Sequence, residues 1–149
     1  MADVKKILFA VELSTLVSSI ADWVNLMGRQ FNAEVHLLHV VPELDYWGVA
    51  YAVSPTHLDD KNKIIKEAEN KLEAFRKENM DAALDVRCRV VVGYPAEEII
   101  NYIDAENMSM VVMGTHGKSG LDRAIFGSVA DRVLRFSPAP VFSVNPHSL

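Results

Sequence analysis

Five short apolar runs punctuate this chain, and each gap between them carries a pattern of helical period. The runs are Lys6–Val11, Val35–Val41, Val86–Val92, Met108–Met113 and Pro140–Val144. Each is bounded by Gly, Pro, Glu or Asp, and most are near-continuous rather than alternating. Strands buried on both faces of a parallel sheet read in this way. Between the runs, Leu16, Ile20, Trp23, Val24, Met27 and Phe31 follow a three-and-four spacing, with Ser14 placed to cap the first helix. Ile64, Ile65, Ala68, Leu72 and Phe75 repeat that spacing on a helix whose other face, with Lys61, Lys66, Glu67, Lys71 and Glu73, is solvated. Pro95-Ala96-Glu97-Glu98 reads as a first turn, with Ile99, Ile100 and Ile103 facing inward. Ile125, Val129, Val133 and Leu134 form the last helix, stopped at Ser137-Pro138. The order β-α-β-α-β-α-β-α-β predicts an α/β fold, an open doubly wound parallel sheet with helices on both faces.

Length and charge narrow the field further. A chain of 149 residues without internal repeat, linker or low-complexity stretch is expected to form one domain over 1–149. Lys and Arg number 15 against 20 Asp and Glu, a formal net charge of -5. That balance argues against a broad nucleic-acid surface or a polybasic membrane contact. The apolar run Ile7–Val11 is too short for a signal peptide or a membrane span. The single cysteine, Cys88, forms no internal disulfide, so a reducing, cytoplasmic setting is expected. Although Arg87 and Arg89 flank it, the expected state is a buried, inert thiol.

Glycine is distributed unevenly. There are seven in all, and Gly114, Gly117, Gly120 and Gly127 fall within one short segment after the fourth strand. Glycines let the backbone turn tightly and approach a ligand, and successive N–H groups there form an anion nest. Gly127-Ser128-Val129 lies at the start of the last helix, where unsatisfied N–H groups favour phosphate. Lys118 and Arg123 add positive charge. Open parallel sheets bind ligands beyond the carboxyl ends of their strands, where strand order reverses. Gly117-Lys118-Ser119 looks like the end of a P-loop, but that motif requires glycine where Val112 stands. The dinucleotide pattern G-x-G-x-x-G fails as well, because two residues separate Gly114 from Gly117.

The spacing that fits is G-x2-G-x9-G-(S/T), spelled by Gly114, Gly117, Gly127 and Ser128. With Lys5-Lys6-Ile7-Leu8, Leu37-Leu38-His39-Val40, Val91-Val92-Gly93, Met113-Gly114-Thr115-His116-Gly117 and Ala139-Pro140-Val141, it resembles the universal stress protein family over nearly the whole chain. The resemblance implies a Rossmann-like sheet of order 3-2-1-4-5 and ATP as ligand, with ADP and AMP as alternatives and Mg²⁺ arriving through the phosphates. Gly114, Thr115, His116, Gly117, Lys118 and Ser119, following Met113, would wrap the ribose and phosphates. Gly127, Ser128 and Val129 would hold phosphate oxygens through backbone N–H groups and the Ser128 hydroxyl. Val40 would offer backbone groups to the adenine edge, and Ala10 would line that pocket. The family usually ends its first strand in Asp. Here Glu12 keeps the carboxylate but extends it by roughly 1.5 Å. The resemblance also implies a homodimer through the C-terminal strand Val141–Val144, an apolar edge that needs covering.

The remaining candidates receive plainer readings. No carboxylate or nucleophile is assignable beside His116, so a loop hydrogen-bonding role is expected of it rather than catalysis. His36 and His39 point to opposite faces of their strand and make no joint metal pair; both read as core or supporting residues. Met108, Met110 and Met113 read as packing. The stretch 42–57, with Tyr46, Trp47 and Tyr51, is either a lid or partner-binding loop or a surface loop that folds its aromatics onto its own domain. The expected function is nucleotide-regulated binding in a stress response, with no catalytic residue assigned. The alternatives are a slow ATP-hydrolysing enzyme using the same loop and a nucleotide-free dimeric interaction module.

Overall fold

The computed structural model describes residues 2–13, 18–43, 56–115 and 127–146, with the side chains of all these save 56–59. Strand β1 (Lys6–Ala10) leads to helix α1 (Ser18–Phe31), β2 (Glu34–Pro42), α2 (Thr56–Asn79) and β3 (Val86–Gly93). The chain continues through α3 (Pro95–Ala105), β4 (Met110–Gly114), α4 (Ser128–Phe136) and β5 (Val141–Val144). All four strand pairs are parallel, and the sheet order is β3-β2-β1-β4-β5, as the resemblance implied.

Alternating side chains on the strands divide the core in two. Ile7, Phe9, Val35, Leu37 and Val112 meet Ile20, Ala21 and Val24 of α1 and Leu72 of α2 on one face. Leu8, Leu38, Val40, Val111 and Met113 meet Ile99 and Ile103 of α3 and Ala130 and Val133 of α4 on the other. The middle of β1 is therefore fully enclosed, with Ile7, Leu8 and Phe9 all at 0% exposure. Its near-continuous apolar run is explained by helices covering both of its faces. Met110 packs on the first face and Met108 and Met113 on the second, the packing role expected of them.

Some expectations need correction. The run Val86–Val92 is not buried on both faces; β3 is an edge strand whose burial alternates through its first half, with Arg87 and Arg89 exposed. Trp23, Phe31 and Leu134 follow the helical spacing yet stand 39%, 48% and 40% exposed rather than enclosed in the core. Trp23 instead tilts against Phe142 of β5, ring centroids 5.8 Å apart. Ser14, Leu16 and Ile125 lie outside the described residues.

The two histidines of β2 do face opposite ways. His36 is buried, its Nε2 2.5 Å from Glu34 Oε1 and its Nδ1 2.7 Å from the Tyr102 hydroxyl of α3. Arg87 Nε reaches the same Glu34 oxygen at 2.8 Å. Burial alone would raise the Glu34 pKa, but the His36 hydrogen bond and the charges of His36, Arg87 and Lys6 hold it below the ordinary range. A depressed carboxyl stabilises the fold fully above the unfolded value of ~4.3, and that contribution drains away as pH falls through the folded value. Glu34→Gln is thus expected to flatten the acid limb of a urea-unfolding series run between pH 3 and 6.

Candidate functional site

The strand order reverses between β1 and β4, since β1 leads outward to β2 and β3 while β4 leads to β5. A crevice beyond the carboxyl ends of these strands follows from the topology. Ala10 closes β1, and Glu12 just after it is exposed. Met113 and Thr115 at the end of β4 are buried, at 4% and 6% exposure, with Gly114 between them. Ser128 at the start of α4 is exposed and Val129 half-buried.

The backbone at the ends of β1 and β2 has a specific pattern. Val11 N–H still donates to Leu38 O at 2.8 Å, one rung beyond the paired residues Ala10 and Leu38. The next two rungs of a parallel ladder would be Val40 N–H to Val11 O and Leu13 N–H to Val40 O. Among the described residues neither is formed. Val11 O accepts from His39 Nδ1 instead, at 2.8 Å. Strand alternation points the Val40 N–H and C=O to the side of β2 that Leu38 uses for β1. They therefore face the space where β1 has ended. The Val40 side chain stays in the α3–α4 core, so its backbone is held by packing.

A second set of ties lies at the end of β4, on the β5 side of the switch point. Thr115 N–H donates to Val144 O at 2.9 Å, and Gly127 N–H donates to Thr115 O at 2.8 Å. The end of β4 and the start of α4 are thereby joined directly. Gly127 sits at φ -59°, ψ 149° as the residue before α4, and no side chain caps that helix. Its own N–H, expected to meet phosphate, is taken by Thr115. The N–H groups of Ser128 and Val129 belong to the first turn, where the helix supplies them no partner of its own. His116, Gly117, Lys118 and Ser119 lie outside the described residues, as do Arg123 and residues 44–55 with Tyr46, Trp47 and Tyr51.

Sequence reasoning did not foresee the roles of Val11 and Val144, whose carbonyls organise the two strand ends. Their signal is geometric: each lies at or just past the end of a run, where a ladder stops.

Residues 3–145 match the universal stress protein family. The chain belongs to that family. It is 33% identical over 152 aligned residues to universal stress protein MJ0577 of Methanocaldococcus jannaschii, covering 94% of each chain. It is 29% identical over 146 residues to universal stress protein YxiE of Bacillus subtilis, covering 93% of this chain and 97% of that one. A solved structure of MJ0577 superposes with a TM-score of 0.81 at 34% identity, over 95% of both chains. Among the described residues this universal stress protein forms one sheet with four helices, the fold shared with that structure.

Other candidate chemistry in this family member is quiet. Among the described residues no three His, Cys, Asp or Glu side chains gather to hold a metal. No described helix is long and apolar enough to cross a membrane. Burial pushes the Cys88 thiol up to about 11, Glu73 adds to the rise and Arg76 opposes it. Arg87 and Arg89, its neighbours in sequence, project from the opposite face of β3 and do not activate it. A thiol with so high a pKa is almost wholly protonated at pH 8. Alkylation by iodoacetamide at that pH should run roughly a hundredfold slower than for a free cysteine near 8.5, as read by mass spectrometry. A rate that levels off above pH 9 would contradict this placement.

Proposed function

We propose that this chain is a single-domain, cytoplasmic adenine-nucleotide-binding regulatory protein acting in a stress response, with ATP as its principal ligand. The observation that carries the reading is the pair of unformed rungs at Val40. One N–H donor and one C=O acceptor side by side match the N1 acceptor and 6-amino donor of adenine. Ala10, the last paired residue of β1, stands opposite Leu38 just before the gap, and Glu12 follows at the mouth. The first turn of α4, with Ser128 and Val129, suits the phosphates, and Met113, Gly114 and Thr115 lead into the glycine segment. His116, Gly117, Lys118 and Ser119 complete that cradle in this reading. Universal stress proteins of the same fold have been solved in complex with cAMP and with dAMP, at 19% and 16% identity to this chain. Mg²⁺ enters with the phosphates, keeping its water ligands rather than a protein cage. Occupancy of the site then acts by biasing partner choice rather than by turnover.

Isothermal titration with ATP, ADP, AMP and GTP tests this reading. Saturable binding of the adenine series, with GTP at least tenfold weaker, is the expected result. No heat with any adenine nucleotide up to millimolar concentration overturns it in favour of a nucleotide-free interaction module. Steady release of phosphate, abolished by His116→Ala or Lys118→Ala with binding retained, overturns it in favour of an enzyme.

The same reading includes a homodimer through β5. Pro140 O and Val144 O both accept from the β4 side, so alternation turns the Val141 and Ser143 backbone groups outward to the open edge. Trp23 beside Phe142 adds exposed apolar surface there. Ser143→Pro removes an outward donor and is compatible with an edge strand. Sedimentation equilibrium should show its dimer constant weakened at least tenfold with an unchanged circular dichroism spectrum.

A further inference from the structure

Parallel strands that part from one another usually do so because something holds one of them aside. Here the holder is His39. The His39 side chain lies on the face that Val35 and Leu37 share with α1 and α2, while Val11 packs into that same core. A carbonyl oxygen accepts and never donates, so in the 2.8 Å contact with Val11 O it is Nδ1 of His39 that carries the proton. That bond directs the Val11 carbonyl toward the α1 face and away from Val40 N–H. Without it, Val11 O would have the Val40 N–H as its natural partner in the next rung of the ladder. Leu13 N–H would then come into register with Val40 O.

We propose that His39 is a positioning residue: by holding the Val11 carbonyl it keeps the Val40 N–H and C=O out of the β1–β2 ladder and presents them to a purine edge. The step from His39 to base recognition rests on the nucleotide reading above; the step from His39 to the state of Val40 does not. Base selectivity in this chain therefore depends on an imidazole that touches no part of the base. Asparagine is the conservative replacement, since its side-chain amide offers an N–H near the position of Nδ1. Leucine has similar bulk and no donor.

Two measurements on the full-length protein separate the claims. The first is amide hydrogen exchange without nucleotide. In the wild type, Val40 should exchange at least tenfold faster than Leu38. In His39→Leu, Val40 should slow at least tenfold as the Val11 carbonyl swings back to accept it, and His39→Asn should keep the wild-type rate. The second is titration with ATP and with ITP, whose base presents N1–H and a 6-oxo group, the reverse of adenine's pattern. His39→Leu should lose about tenfold in ATP affinity and bring the ATP-to-ITP ratio close to one, whereas His39→Asn should preserve both. An unchanged Val40 exchange rate in His39→Leu overturns the proposal, and so does an unchanged ATP-to-ITP ratio in a His39→Leu protein that binds ATP. If the wild type binds no nucleotide yet Val40 responds as stated, the positioning role stands and the ligand reading is what fails.

Discussion

ATP at a hundredfold excess over its Kd is expected to raise the melting temperature of the wild-type protein, and Gly127→Val is expected to abolish most of that rise. A ligand at this excess stabilises the native state by about 2.7 kcal/mol. For a domain of this size each kcal/mol moves the midpoint by roughly 2–4 °C, so the shift should be about 5–10 °C. Gly127 is a sensitive place to remove it. Its φ of -59° and ψ of 149° are open to any residue, so valine adds no backbone strain. The N–H that ties it to Thr115 O is retained as well. What valine changes is bulk at the mouth of α4, where the proposed phosphates approach the N–H groups of Ser128 and Val129. The variant should therefore melt within a few degrees of wild type without nucleotide and respond weakly to it. A full ATP shift in Gly127→Val would place the phosphates elsewhere.

The largest effect on stability is expected from Phe9→Ala. Phe9 is fully buried in the central strand, and its ring meets Phe75 of α2 edge-on at 6.0 Å. Truncation removes the transfer energy of the ring and leaves a cavity between β1 and α2, typically 3–5 kcal/mol for Phe to Ala. The edge-to-face contact adds to the loss, because it stabilises beyond the area buried. Urea unfolding should show a lower midpoint at an unchanged slope, since the surface exposed on unfolding is nearly the same. A drop below 1 kcal/mol would mean that Phe75 collapses into the vacated space. Phe75→Ala is the natural partner for a double-mutant cycle, which would isolate the ring contact from the burial of each side chain.

Periodicity made the element types and their order legible, because each is written locally in the spacing of apolar residues. The central strand was the clearest case: Ile7, Leu8 and Phe9 form a continuous run, and all three are enclosed. Strand order came by another route, from the likeness of the glycine segment and its flanks to a family. Exposure was harder to read. Trp23 and Leu134 obey the helical period, yet the period does not reveal how far the sheet extends beneath a helix. The alternation in β3, by contrast, is written locally in Val86-Arg87-Cys88-Arg89-Val90, the pattern of a half-covered strand, which fits its place at the edge. The least legible feature was the parting of β1 from β2. It depends on one side chain of β2 meeting one carbonyl past β1, a contact 28 residues apart. Similarly, the buried His36 has Glu34 close by in sequence, but the partner of its other nitrogen, Tyr102, lies 66 residues away.

The hydrogen bond from Gly127 to Thr115 also bears on how this protein can diversify. It ties Thr115 to Gly127, so the register of β4 and α4 is held at those two residues. Lengthening a connection between tied ends is inexpensive: doubling it costs only about 0.6 kcal/mol of closure entropy. Insertions and rewritten side chains can therefore accumulate there while β4, α4 and β5 keep their register.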